Sequence, residues 1–318
     1  MTLTVWDTHP DHQFADAISR FEEEFSYPLG DDGRFRIEHG GDGWRFFHAL
    51  GEAAYVVATR QGEVLAVLGA AVRRVVGPDG ASIALLYLGD LKIAARARGG
   101  RQLLHLVRAI QARFGGRVGA AFCVVMDGTP LTPAHYTGRM GIPAFAPAAA
   151  LAVFWLRTAA GNAEAAPAGM IRPCDQDPGQ ELFMELAAGQ YRLINGKPDE
   201  RSLMAPQWLC ADDGSACGRL EDTLRAKRLR STTGEDMRSA HVSCFAYRNV
   251  AAGARLVQAA AERAAQAGYP MLFVAVSASD AAALAEFLGS RLRSSSPATV
   301  FGTGLPGPGR WNINTAEI

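Results

Sequence analysis

Residues 83–126 hold the residue types best suited to chemistry in this chain. Asp90 sits among apolar neighbours, with Leu86-Tyr87-Leu88-Gly89 before it and Leu91-Lys92-Ile93 after it. A carboxylate so placed can take up a proton directly or through water, and partial burial raises its pKa toward usefulness. It can equally be a turn or bulge aspartate after Gly89, bonded to nearby backbone. A basic glycine turn follows, Arg96-Ala97-Arg98-Gly99-Gly100-Arg101. Such a turn, opening a helix, leaves several backbone N–H groups unpaired and pointing at one spot, where the helix dipole adds partial positive charge. Arg96, Arg98 and Arg101 add full charges, so an anion such as a pyrophosphate is welcome there. The plainer reading is a tight strand-to-helix turn with solvated arginines. The turn spells neither G-x-x-x-x-G-K-[ST] nor G-x-G-x-x-G, and no acidic residue follows at the distance a dinucleotide fold requires. A P-loop NTPase and a dinucleotide-binding fold are thereby set aside.

These residues need a strand before the turn and a helix after it. Residues 83–88 form an apolar run, 102–114 carry the helical period, Gly115-Gly116 stop the helix, and 118–126 read as a second buried strand. Upstream, Phe14, Ala17, Ile18, Phe21 and Phe25 recur at helical spacing. Residues 55–60 and 64–76 read as strands joined in a hairpin at Gln61-Gly62-Glu63. Turns are expected at 30–33, 40–43 and 77–80. The hairpin argues for an antiparallel sheet rather than a doubly wound one. Pro130, Pro133, Pro143 and Pro147 break the next segment, leaving room for a short helix within 134–140, and 151–157 reads as a strand.

The second half repeats this plan. Residues 181–188 read as a helix, 219–230 as one or two strands, 240–247 as an alternating strand, 253–267 as an Ala-rich helix and 271–276 as a buried strand. Gly100 matches Gly253 and Leu103-Leu104 matches Leu256-Val257 at an offset of 153 residues, and Gly116 matches Gly268 at 152. A fixed offset near half the chain length indicates a duplicated unit. The expected division is an N-terminal domain over 1–157, an Ala/Gly/Pro-rich linker over 158–170 and a C-terminal domain over 171–318.

With a hydrophobic content of 48% and a formal net charge of zero, the chain has ordinary globular composition and is no polyelectrolyte binder of nucleic acid or membrane. Cys123, Cys174, Cys210, Cys217 and Cys244 are scattered without a C-x-x-C, which fits reduced thiols in a cytoplasmic setting and no metal site. The longest apolar run, 148–156, is about half of the roughly 20 residues a membrane helix needs. The N-terminus shows no signal-peptide pattern. Arg225, Lys227, Arg228 and Arg230 crowd a segment with Glu221 and Asp222, either as a solvated strand face or as a docking patch for an anionic macromolecule.

The order of elements resembles the GNAT superfamily of N-acetyltransferases: an antiparallel meander, a glycine pyrophosphate loop, a helix, a strand, a further helix and closing strands. Leu88-Gly89-Asp90-Leu91-Lys92-Ile93 looks like the strand before the family's loop. Arg96 to Arg101, followed by Leu103-Leu104, looks like the loop itself, although Arg101 stands where the family has its last Gly or Ala. Tyr136 to Gly141 is similar to the segment in which a tyrosine precedes a glycine by a few residues. The resemblance implies an α/β (α+β) chain of two tandem GNAT-like domains, each a mixed, mainly antiparallel sheet flanked by helices. It implies an N-acyltransferase that takes acetyl-CoA or another acyl-CoA as cosubstrate, with a small-molecule amine as acceptor. By this resemblance the backbone of Leu91, Lys92 and Ile93 polarises the thioester carbonyl, and Arg96, Arg98, Gly99, Gly100, Arg101 and Gln102 hold the pyrophosphate arm. Asp90 would then be the base and Tyr136 the acid for the thiolate, with His135 a second acid/base candidate. The C-terminal copy, with the single glycine Gly253 in its turn and Phe287 in the region of the acid tyrosine, is expected to be degenerate. Two alternatives stay open. One is a GNAT-like transferase drawing on aminoacyl-tRNA, as Fem-type ligases do, or on an acyl carrier protein. The other is an inactive ligand-binding or interaction module.

Overall fold

The structure is a computed structural model that describes residues 2–9, 12–29, 33–129, 131–158, 171–194 and 196–318. The expected linker, apart from Thr158, and most of the 30–33 turn lie outside the described residues. In chain order the first half runs β1 (Thr2–Trp6), α1 (His12–Glu22), β2 (Tyr27–Leu29), β3 (Gly33–Glu38), α2 (Gly43–His48), β4 (Glu52–Arg60), β5 (Glu63–Val76), β6 (Ser82–Ile93), α3 (Gln102–Phe114), β7 (Ala121–Met126), α4 (Pro133–Tyr136) and β8 (Ala146–Arg157). The second half runs β9 (Ile171–Cys174), α5 (Gln176–Leu186), β10 (Gln190–Leu193), α6 (Pro198–Arg201), β11 (Gln207–Ala211), β12 (Ala216–Asp222), β13 (Arg228–Ser231), β14 (Ser239–Tyr247), α7 (Val250–Gln266), β15 (Met271–Ser277), α8 (Ala278–Leu288), β16 (Leu292–Thr303) and β17 (Arg310–Asn312).

One mixed, mainly antiparallel sheet carries both lobes, in the order β1-β4-β5-β6-β7-β16-β8-β15-β14-β12-β11-β9. The hairpin between β4 and β5 turns at Gln61 and Gly62, both at positive φ (52° and 84°), which is the turn type that matches strand twist. In each lobe a meander leads into a helix and then a parallel strand: β6 to β7 through α3, and β14 to β15 through α7. The closing strands are exchanged. β8, from the first half, lies antiparallel to β15, while β16, from the second half, lies antiparallel to β7. The two sequence halves therefore share one continuous sheet.

The sheet is covered on both faces. Leu106, Ile110 and Phe114, spaced four apart along α3, pack on Ala54, Val56, Ala58 and Leu68, whose small side chains let the helix approach closely. On the other face, Ile18 and Phe21 of α1 and Trp44, Phe46 and Phe47 of α2 pack on Tyr55, Val57, Val67 and Tyr87. The Phe47 ring lies so close to Gly69 that a Cβ there would come within 2.0 Å of it. A small sheet, β13-β3-β2, closes over this second face and is joined across the lobes by Arg230 and Glu38 at 2.7 Å.

Cys174 and Cys210 are not free thiols as expected from their scatter. They lie on the edge strand β9 and its neighbour β11 with Cα atoms 6.1 Å apart and form a disulfide, while Cys123, Cys217 and Cys244 are free. Among the described residues no helix is long and apolar enough to cross a membrane.

The last residues are anchored by buried charge. Glu317 pairs with Arg73 of β5 at 2.9 Å and with Arg201 of α6 at 3.2 Å, and Arg201 pairs with Glu221 of β12 at 2.7 Å. Burial pushes the Glu317 carboxyl up, but Arg73, Arg201 and Arg219 pull it down further, to about 2. Its contribution is therefore full above the ordinary carboxylate value of 4.5 and is lost as pH falls toward 2. Glu317→Gln should cost about 3–5 kcal/mol at neutral pH by removing the buried carboxylate that Arg73 and Arg201 share. Denaturant titrations should show the gap from wild type narrowing as pH drops from about 5 to about 2.5. A gap that stays constant across that range would count against the network.

Candidate active site

Where β6 meets β7 the parallel ladder has two rungs, Leu86 with Ala121 and Tyr87 with Phe122. Beyond them the strands diverge, and a cavity of about 530 Å³ opens between Leu88–Leu91 and Cys123–Met126. It reaches both faces of the sheet: Leu103, Val107 and Ile110 of α3 line one end, and Phe46, His39, Lys227 and His241 line the other. A bulge in β6 sits at the split. Gly89 pairs with Gly69 and Lys92 with Val67, so Asp90 and Leu91 together face Leu68. Asp90 has φ +54°, a left-handed conformation that aspartate tolerates better than most residues.

The Asp90 side chain is held firmly. It accepts a hydrogen bond from the Tyr55 hydroxyl at 2.6 Å and pairs with the Lys92 ammonium at 2.7 Å. Lys92 also lies 3.4 Å from Glu22, which accepts from the His39 backbone N–H at 2.9 Å and meets His39 Nδ1 at 2.6 Å. His39 Nδ1 is 3.8 Å from Asp90. Burial pushes the Asp90 carboxyl up, yet Lys92 and His39 outweigh it and the net direction is downward. The expectation that burial would raise this pKa is corrected: an ammonium at bonding distance wins over desolvation. The same cluster moves its other members. Burial opposes the Lys92 charge, but Asp90, Tyr27 and Glu22 drive its pKa upward, and burial lifts the Tyr27 phenol to about 12. Glu22, His39 and Asp90 bring ligand atoms within 4.8 Å of one another. The Lys92 ammonium already supplies there the positive charge a metal ion would bring.

The remaining sequence candidates divide. Tyr136 lies on the cavity wall, and burial holds its phenol far above the ordinary value, so the hydroxyl stays protonated. Cys123 beside it is pushed up to about 12 by burial. His135 is exposed and does not line the cavity, its Nδ1 accepting from the Thr132 N–H at 3.1 Å as a helix cap. Leu91 lines the cavity, whereas Lys92 and Ile93 are back in the ladder opposite Val67 and Ala66. Arg96 is occupied by Glu24 at 2.9 Å and Glu63 at 3.6 Å. Arg98 and Arg101 are exposed and have no partner among the described residues. Gly99 has φ +78°, and Gln102, buried, folds its amide oxygen against Gly100. The turn itself is not part of the cavity wall, but α3, which it opens, is.

The basic run 225–230 does not form a surface patch. Lys227 is 4% exposed, with its ammonium 4.8 Å from the Phe46 ring centroid and donating to the Ile318 main-chain oxygen. Burial, with Arg201 in range, pushes it down to about 7. Arg230 is spent on Glu38, Arg228 donates to the Leu224 carbonyl and Arg225 to that of Asp199. Sequence reading missed Glu22, His39, His241 and Thr315 as site residues and took Lys227 for part of a docking patch. The one available signal was a lysine, Lys92, inside an otherwise apolar strand.

The second lobe repeats the bulge. Cys217 pairs with Ala246 and Arg219 with Ser243, so Cys244, at φ +52°, and Phe245 together face Gly218. Here the split between β14 and β15 is filled by the chain itself. The Cys244 N–H donates to Asn314 Oδ1 at 2.7 Å, and Asn312 Nδ2 donates to the Phe245 carbonyl at 2.6 Å.

No family model matches the sequence, and no curated protein sequence matches it. Solved structures do. N-myristoyltransferase of Saccharomyces cerevisiae with bound myristoyl-CoA superposes with a TM-score of 0.64 at 11% identity, covering 99% of this chain and 87% of that one. A GCN5-related N-acetyltransferase from Anabaena variabilis gives 0.51 at 13% identity over 94% and 72% of the two chains. Another, from Kribbella flavida, gives 0.50 at 12% over 95% and 70%. At such identities the likeness is one of backbone: the chain has the fold of the GNAT superfamily of N-acetyltransferases, in a two-lobed arrangement.

Proposed function

We propose that the protein is an N-acyltransferase that moves an acyl group from acyl-CoA to the amine of a small-molecule acceptor. The observation that carries this reading is the cavity at the β6–β7 split, which brings a backbone bulge, a protonated tyrosine and an apolar chamber together. The likeness to structures of N-acyltransferases supports it. In this reading the first lobe binds the donor and performs the chemistry, while the second, whose equivalent split is filled by 312–315, shapes the acceptor side.

The second lobe also points to the thioester-polarising group. There the left-handed bulge residue gives its N–H to an amide oxygen. With the same bulge and the same left-handed residue, the Asp90 N–H would give its hydrogen bond to the thioester oxygen and to the negative charge that grows on it. Asp90 would thus act through its backbone, its carboxylate serving to fix the bulge. Tyr136 would hand its proton to the departing thiolate. Arg98, Arg101 and the first amides of α3 would hold the pyrophosphate, and Leu88, Val124 and Phe145 would surround the acyl chain. A carrier protein or tRNA donor lacks support, because the basic run that suggested it is partly buried and dispersed.

Calorimetry with a saturated acyl-CoA series should show affinity rising about fourfold per added CH₂, the equivalent of about 0.8 kcal/mol, until the cavity is full. No binding of any CoA thioester would sink the proposal. Arg98→Glu with Arg101→Glu should weaken binding of the whole series at least tenfold, while Arg248→Glu in the second lobe should leave it unchanged. Tyr136→Phe should lower kcat on the order of 100-fold with the donor Kd within twofold. Unchanged turnover would remove Tyr136 from the mechanism.

A further inference from the structure

His241 stands on β14 at the cavity end away from α3, opposite Phe273 in the β14–β15 ladder, with its ring stacked on the Phe273 ring at 5.6 Å. It is 2% exposed. Its Nδ1 lies 2.9 Å from Thr315 Oγ1, and that hydroxyl donates its only proton to the Phe273 carbonyl at 3.3 Å. Both contacts are satisfied at once when Thr315 Oγ1 accepts from Nδ1–H, the tautomer that leaves a lone pair on Nε2. Burial, with the Lys227 and Arg201 cations in range, keeps the ring neutral. Nε2 is buried and has no hydrogen-bond partner among the described residues, on a side chain that lines the cavity. A buried acceptor without a donor is costly and rare, so a donor is to be looked for in whatever fills the cavity.

We propose that His241 Nε2 accepts a hydrogen bond from an N–H of the amine acceptor and so orients the nucleophilic nitrogen toward the split. The proposal rests on the acyl-transfer reading above and adds a residue that contacts the acceptor. Several features converge on it. The acceptor end of the cavity is the end away from α3. The lone pair is fixed in place by Thr315 and Phe273. The nearby cations disfavour an ammonium and favour the neutral amine, which is the form able to attack a thioester. Thr315 belongs to the segment anchored through Glu317, so the tautomer depends on that anchor.

The test uses the full chain labelled with ¹⁵N-histidine and loaded with a non-transferable thioether analogue of acyl-CoA, whose binding is measured separately by calorimetry. Before any amine is added, His241 should be protonated on Nδ1 and bare on Nε2. Benzylamine, tyramine or glycinamide should move the Nε2 resonance toward the hydrogen-bonded position. The N,N-dimethyl counterparts of benzylamine and tyramine, which carry no N–H when neutral, should leave it in place. With the primary amine that turns over best, His241→Asn, which keeps a donor toward Thr315 and removes Nε2, should raise the acceptor KM at least tenfold with the donor KM within twofold. His241→Gln, which carries an amide oxygen near the Nε2 position, should recover most of the loss. A protonated Nε2 in the amine-free protein overturns the proposal. So does a resonance that no primary amine moves while the analogue binds, or an acceptor KM unchanged in His241→Asn. Failure of the analogue to bind would instead sink the acyl-transfer reading on which this one rests.

Discussion

Two rungs hold β6 to β7, and the left-handed bulge at Asp90 helps determine what the strands do after they part. A non-glycine residue in that conformation costs roughly 1–2 kcal/mol. The offset lies in the side chain, where a charge-assisted bond from Lys92 and a hydrogen bond from Tyr55 converge on the carboxylate. The buried group of Glu22, His39, Asp90 and Lys92 is thus a device for keeping a backbone in an uncommon shape. Lys92 holds both carboxylates, each oppositely charged group offsetting the burial of the other, and no member is left to desolvate alone. That accounts for an Asp90 carboxyl held low rather than raised, and it supports the scaffold role proposed for the residue.

The second lobe keeps the bulge and loses the opening. Its split receives Asn312 and Asn314, and its bulge amide is satisfied internally. Both halves of the sheet therefore meet the same backbone problem, an unladdered N–H where parallel strands diverge. One solves it with its own chain, and the other presents it to a cavity. The filling segment must be pinned to stay there, and Glu317, between Arg73 of one lobe and Arg201 of the other, does this. The same pin places Thr315 against His241, so one buried carboxylate anchors both the segment that closes one split and a residue that lines the cavity at the other.

Local patterns were legible in the sequence, and partnerships between distant elements were not. The helix expected over 102–114 is α3 to the residue, because its apolar period and the Gly115 stop are local signals. The hairpin at Gln61-Gly62 and the strands at 151–157, 240–247 and 271–276 follow for the same reason. Tyr136 lines the cavity. The exchange of β8 and β16 left no trace, since a strand's alternation is the same whichever neighbour it pairs with. Glu22, His39 and Lys92 come from three elements and converge only in space. Lys227 was misread for a related reason: charge density along a chain says nothing about which side chains turn inward, and this one lies beneath the small sheet on the ring of Phe46.

The two ends of the cavity differ in a way that orders the proposed reaction. Toward α3 the walls are Leu103, Val107 and Ile110, with the Tyr136 hydroxyl as a polar group that remains protonated. Toward α2 and β14 the walls carry His39, Lys227 and His241. An apolar acyl chain gains by entering from the first side, and a polar amine loses less by entering from the second. The substrates then approach from opposite faces of one sheet and meet where β6 and β7 part. In the proposed reaction the proton needed by the departing thiolate would wait on the donor's side, and the lone pair that steers the amine on the acceptor's. A sheet without the split would separate these groups completely, and a wider one would admit water between them. The two-rung ladder is what places them within reach of one another.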